Sequence, residues 1–203
     1  MKKLTIIVLA VFAILTACTE KTNVNKDAAS TNDSIAASGE WTKITPEEIS
    51  IEPVKELSAG MILAAGTDSS YNAMAIGWGG LGKLWGRPTM TVYVSQSRYT
   101  YEFMESNDCF TVNVLPQSEN EKVIYVGSHS GRDGDKIKDS GLHPEFTELG
   151  NPRFAEANLV IECRKIYSAE LDHNQAPEDI KGMYENNKPH IMYVGEIVNA
   201  WKK

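Results

Sequence analysis

The chain has 203 residues, 42% of them hydrophobic and 23% charged, and a formal net charge of −7 at neutral pH. That acidic balance, with no concentrated basic stripe, excludes a nucleic-acid binder. Three cysteines in a chain of this length do not form a small disulfide framework.

The first predicted element is a leader. Lys2 and Lys3 precede an almost wholly apolar run, Leu4 to Leu15, with the length of a signal h-region and short for a membrane span. It ends in Leu15-Thr16-Ala17-Cys18, which resembles the lipobox of bacterial lipoproteins. That resemblance implies a signal peptide over residues 1–17 and lipidation of Cys18. It also implies an exported protein anchored to a bacterial membrane without a spanning helix. Residues 18–43 follow as the lipidated cysteine and a flexible tether. From Thr19 to Gly39 the larger apolar residues are Val24 and Ile35 alone, too few to order the segment. The folded domain is expected over residues 44–203, an ordinary size for one domain.

Within that domain Thr45-Pro46-Glu47-Glu48 reads as a short helical turn, with Thr45 as cap and Pro46 at its first position; Pro53 limits its length. Strand-like runs follow: MILAAGT, NAMAIGW, TMTVYVS, CFTVNVLP, ANLVIECRKIYSAEL and HIMYVGEIVNAW. Alternation puts Met90, Val92 and Val94 on one face of their strand, and Phe110, Val112 and Val114 on one face of theirs. Two short helices are expected, Tyr99 to Ser106 and Glu119 to about Val126. The order predicts a β-rich domain, a barrel or sandwich crossed by short α-helices. Cys109 and Cys163 each sit in an apolar run, which fits burial as well as pairing.

Gly77 to Gly82 satisfies the G-x-G-x-x-G spacing of a dinucleotide-binding turn. The physics of that turn needs a long helix next, because the helix N-terminus holds the pyrophosphate. Gly86 and Pro88 follow within six residues, so the glycines are read as letting the backbone bend or approach something flat.

Two stretches carry candidate chemistry. Ser97, Arg98, Tyr99 and Thr100 stand where a strand turns into a helix. Free N–H groups, hydroxyls and a guanidinium there suit an oxyanion, although Ser97 as a simple helix cap fits equally well. The second is the glycine-rich loop with Ser128, Ser130, Arg132 and Lys136. Asp133-Gly134-Asp135 begins like a calcium loop, but Ile137 takes a ligand position; Gly127 to Gly131 puts His129 where a nucleophilic serine belongs. His129, His143, His173 and His190 lack metal-ligand spacing, so no metal is expected.

With these pieces in order, residues 44–203 resemble the flavin reductase-like family, the FMN-binding split barrels that include flavoredoxin. The resemblance rests on YNAMAIGWGG, SRYTYEF, FTVNVLP, GSHSGRDGDKIKDSGL and HIMYVGEI. It implies FMN as cofactor and a site at matched positions: Asn72, Met74, Ala75 and Trp78 along the flavin ring, and Ser97, Arg98, Tyr99 and Thr100 at its phosphate. Ser128, Ser130, Arg132 and Lys136 would form the closing loop, and His190 would lie on the nicotinamide side. It also implies a homodimer. Two departures stand out. Ala75 and Gly77 replace frequent Thr and Ser, and Ser95-Gln96 replaces a frequent Arg-Pro. The implied activity is that of an FMN-dependent NAD(P)H:flavin oxidoreductase, with a second flavin, a quinone or a redox protein as acceptor and no catalytic side chain. Export away from cytoplasmic nicotinamides supplies the alternative, a membrane-tethered FMN-binding electron carrier.

Overall fold

A computed structural model describes residues 39–185 and 188–203. The leader, Cys18 and the tether up to residue 38 lie outside the described residues. Chain order is β1 (Thr42–Ile44), α1 (Pro53–Ala59), β2 (Met61–Thr67), β3 (Ser70–Ile76), β4 (Gly79–Leu84), β5 (Arg87–Ser95), α2 (Tyr99–Ser106), β6 (Cys109–Val114) and α3 (Asn120–Ser128). Then come α4 (Lys136–Asp139), β7 (Pro144–Phe146), β8 (Pro152–Phe154), β9 (Leu159–Glu170), α5 (Glu178–Lys181) and β10 (His190–Lys202). The fold is β-rich with a few short helices, as the sequence pattern predicts.

Seven strands run antiparallel in the order β3-β2-β6-β9-β10-β5-β4, with β1 added to β10, and β7–β8 form a separate hairpin. The sheet curls into a split barrel. Ile76 of β3, at one end of the order, and Met90 and Val92 of β5, near the other, belong to one buried cluster with Leu63, Phe110, Ile161 and Tyr193. The alternation expected for β5 and β6 is realised, since Met90, Val92 and Val94 face that interior with Phe110, Val112 and Val114. Strand β2 reads as an unbroken apolar run because both of its faces are covered. Leu63 and Ala65 point inward, while Ile62 and Ala64 pack outside against Val123 and Val126 of α3 and Phe154 of β8.

The short turn at Pro46–Glu48 forms, and the Glu48 carboxylate accepts from the Thr45 N–H at 2.8 Å. Four features differ from expectation. The ordered chain begins earlier, because β1 starts at Thr42 and the Trp41 indole donates to Glu145 at 2.8 Å. Pro53 starts a helix rather than only ending a turn. It occupies the first position of α1, which stops at Gly60 with φ 95°, the usual Pro-to-Gly asymmetry. Helix α3 runs from Asn120 to Ser128, two residues past its expected end. The glycine run is strand β4, turned onto β5 through Trp85 and Gly86 with φ of 50° and 78°. Its sequence lacks β-branched residues; pairing with β5 imposes the strand, and a Cβ on Gly79 would sit 2.5 Å from the Thr91 carbonyl oxygen.

The two cysteines are both free. Cys163 lies opposite Phe110 and faces the interior, whereas Cys109, one residue before Phe110, faces the other side of β6. Burial raises both thiol pKa values, so neither is an activated thiolate.

The β9–β10 pairing shifts register twice, with Ile166 the extra residue on β9 beside Val194/Gly195 and Val198 the extra residue on β10 between Ile197 and Asn199. A Cβ at Gly195 would come within 2.6 Å of Cys163 Cβ and 2.7 Å of Phe110 Cζ. Gly195→Ala should therefore destabilise the domain by about 1–3 kcal/mol through overpacking. A thermal melt of the variant tests this, and an unchanged Tm would refute it.

Candidate functional site

The sheet's curl brings three chain segments together. Strand β3 delivers Met74, Ala75 and Ile76, then the Gly77–Trp78 connection. Strand β5 delivers Tyr93 and Ser95, then the turn Gln96–Arg98 into α2. Strand β10 begins at His190, paired with Ser95. With Met183 and Tyr184 from the preceding turn, these residues line a cavity of about 330 Å³. Its wall is aromatic. The Trp78 and His190 rings lie 4.7 Å apart, and Tyr184 meets His190 edge-on at 5.9 Å. Nδ1 of His190 is buried without a partner. Burial, and then the nearby Arg98 charge, hold its imidazole below the usual pKa.

A second cavity of about 270 Å³ adjoins the first and is more polar. The start of α2, the end of α3 and the loop from His129 to Asp133 enclose it with Lys136. Arg98, not Ser97, occupies the N-cap of α2, and its side chain makes no capping hydrogen bond. The Ser97 hydroxyl instead meets that of Ser95 at 2.9 Å, which replaces the simple-cap reading of Ser97. The first N–H groups of α2 are thus free of a side-chain cap. Lys136 Nζ donates to the Val126 and His129 carbonyls, both at 3.0 Å, and ties off the end of α3. Burial, and then Arg98, bring its pKa down to about 8. The two cavities share Met74, Ala75, Ser97 and Arg98.

The residues singled out from sequence converge here. Met74, Ala75, Trp78, Ser97, Arg98, Tyr99, Thr100, Ser128, Ser130, Lys136 and His190 all line one cavity or both. Asn72 and Arg132 line neither. Asn72 is 3% exposed, and its amide donates to the Thr100 hydroxyl at 2.8 Å. Its Oδ1 lies where a Cβ on Gly131 would approach to 2.3 Å, so Gly131 is the residue that lets the loop close over it. Arg132 donates to the Ser97 carbonyl at 3.1 Å and to Glu102 at 2.5 Å, with its guanidinium over the Tyr99 ring. It straps the loop to α2.

Sequence reasoning missed Tyr93, Met183 and Tyr184. Tyr93 alternates with the core-facing Val92 and Val94 and so reads as off the core, and Met183-Tyr184 sit in a polar stretch with no periodicity. It also passed over His129. That ring stacks on Tyr125 at 3.9 Å, and its Nδ1 lies 2.9 Å from the Tyr125 carbonyl. Among the described residues no cluster of His, Cys, Asp and Glu could hold a metal ion.

Comparison with known proteins gives this geometry a context. The model of the flavin reductase like domain family matches residues 58–203. Among solved structures the chain is similar to flavoredoxin from Methanosarcina acetivorans, at 27% identity and a TM-score of 0.58, over 71% of this chain and 68% of that one. Flavoredoxin of Desulfovibrio vulgaris (Miyazaki F) is 22% identical, with 71% and 69% covered and a TM-score of 0.56. An FMN-binding domain of a flavin reductases-like enzyme from Shewanella baltica is 19% identical, with 80% and 77% covered and a TM-score of 0.57. These last two show likeness of fold. A curated relative from Aeropyrum pernix, of unassigned function, is 31% identical over 101 residues, which is 48% of this chain and 38% of that protein.

The Asn72–Thr100 bond joins β3 to α2 inside the protein. Asn72→Ala leaves the buried Thr100 hydroxyl without its donor and should cost about 1–3 kcal/mol. Urea denaturation reads this, and a loss below a few tenths of a kcal/mol would show that the bond does not set the site.

Proposed function

Since the chain belongs to the flavin reductase like family, we propose that it binds FMN across the two joined cavities and acts as a flavin reductase-type oxidoreductase. It would take hydride from NAD(P)H or another donor and pass electrons to a second flavin, a quinone or a redox protein. The observation that carries this reading is Arg98, which stands on the wall shared by an aromatic cavity and a polar one that also holds Lys136. Neither cation forms an ion pair with a carboxylate among the described residues.

The residues present fit FMN. A phosphate carries two charges at neutral pH and accepts several hydrogen bonds. Arg98, Lys136, the hydroxyls of Ser97, Ser128 and Ser130, and the free N–H groups at the start of α2 supply matching donors. The aromatic cavity suits a planar ring, with Met74, Ala75 and Trp78 on its wall. The orphaned Nδ1 of His190 gives that ring, or a donor molecule above it, one hydrogen-bonding partner. Bound flavin supplies the two-electron chemistry; the protein supplies position, polarity and exclusion of water. Asn72 and Arg132 serve by holding the start of α2 and the loop in place.

The homodimer belongs to the same proposal. Trp78, Trp85 and Tyr167 are 44%, 66% and 45% exposed, and Trp85 packs edge-on against Tyr167 at a sheet edge formed by glycine-rich β4. Exposed aromatics of this size commonly mark an interface.

Arg98→Ala should weaken FMN about ten- to a hundredfold through loss of a charge-assisted bond, while riboflavin, which lacks the phosphate, changes little. Fluorescence titration of both ligands decides it; equal losses would remove the phosphate assignment.

A second reading is favoured by the leader. Cys18 lipidation would hold the domain at an exported membrane surface, away from cytoplasmic nicotinamides, as an FMN-binding electron carrier. Anaerobic mixing with NADH or NADPH separates the two. Bleaching of flavin absorbance at a catalytic rate is expected for the reductase. Reduction by dithionite alone would transfer the assignment to the carrier.

A further inference from the structure

Arg98 lines both cavities, facing Lys136 in the polar one and His190 in the aromatic one. We propose that Arg98 couples them: a dianion seated in the polar cavity draws a proton onto His190 in the other. The inference rests on the phosphate reading of the polar cavity and adds a consequence at the ring end.

His190 is enclosed by several elements. The Trp78 ring covers it from the β3–β4 connection, and Tyr184 meets it from the turn before β10. Strand β5 contributes Tyr93 and Ser95 to the same wall. Just past the end of β9, the Leu171 N–H donates to the His190 carbonyl. Glu170, also on β9, accepts from Gln96 at 2.9 Å on the surface. Among the described residues, the one side chain on the cavity wall that is charged at neutral pH is Arg98. A half-buried imidazole beside an uncompensated guanidinium is disfavoured as a cation, and its lowered pKa agrees. A bound dianion matches the two charges of Arg98 and Lys136 and removes that repulsion. It also leaves His190 free to carry a proton on Nδ1, the atom with no partner now.

The sign follows from linkage. Anion binding raises the His190 pKa, so binding takes up a proton, and affinity for the phosphate-bearing ligand rises as pH falls through the His190 range. Arg98 acts in this as a positioning residue, through His190.

The test is an NMR pH titration of the histidine side chains in the full chain. His190 is assigned from its missing signal in His190→Gln. Sulfate serves as a dianion that does not titrate, and sodium chloride at matched ionic strength controls for screening. Sulfate should raise the His190 pKa by about half a unit or more beyond chloride, roughly threefold in proton affinity. Arg98→Lys should keep the shift, and Arg98→Gln should abolish it and start from a higher pKa. Amide shifts of Ser97 to Thr100 report seating of the anion in the same spectra. Sulfate that seats there and leaves His190 unmoved overturns the coupling alone. Sulfate that fails to seat overturns the phosphate reading with it. Should Arg98→Gln not fold, the sulfate and chloride curves of the unaltered chain still decide.

Discussion

The site depends on a seam. The sheet curls until β3, at one end of its strand order, lies beside the turn from β5 into α2, and a buried hydrogen bond from Asn72 to Thr100 joins the two. In a low-dielectric interior such a bond has no water to replace it, so its geometry is held. Everything around the two cavities is referred to that seam. Gly131 packs on the Asn72 amide, Arg132 ties the loop to Ser97 and Glu102, and Lys136 closes the end of α3 under the same loop. The unbroken β10–β5 register is the other half of the same constraint, because it sets His190 opposite Ser95.

Folding the seam this way sets two cations close together. Burial, and then the Arg98 charge, lower the tendency of Lys136 to stay charged. Lys136 is compensated by two backbone carbonyls, which spreads its charge without cancelling it. A protein keeps like charges this near when a bound anion, or a gain elsewhere, offsets the repulsion. The aromatic cavity next door gives a ligand somewhere to put an apolar ring, so the pair reads as one site for an amphiphilic molecule with an anionic tail.

Much of this was legible in the sequence, for identifiable reasons. Strands β5 and β6 alternate cleanly because one face is core, and α2 was legible to its residue limits because a polar turn and Asn107 bound it. The glycine run misled in the opposite sense. Gly79 to Leu84 has no strand propensity, and only the partner strand makes it one. The site residues were legible as residue types near turns. Their division of labour was not. Asn72 looks like a ligand donor in sequence, and burial turns it into a clasp; Arg132 looks like an anion binder, and Glu102 engages it instead. Met183 and Tyr184 carry no local signal, since their place on the cavity wall follows from how the loop before β10 folds back.

The two departures from the family pattern act on the same group. Where an Arg-Pro pair is frequent, Ser95 braces Ser97 at 2.9 Å, and Gln96 turns outward to Glu170 at 2.9 Å. The turn is thus held by hydroxyls and carries no extra charge. Ala75 and Gly77 remove two hydroxyls from the ring side, so the polar groups on that wall come from Tyr93, Ser95, Ser97, Arg98 and His190. Both losses leave fewer polar groups to divide the work. Under the proposed reading, charge complementarity at the tail would fall to Arg98 and Lys136, and His190 would stand at the ring beside Tyr93 and Ser95. Arg98 lines both cavities, so under the proposed reading a change at this one position would reach the grip on the tail and the protonation of the ring-side imidazole together.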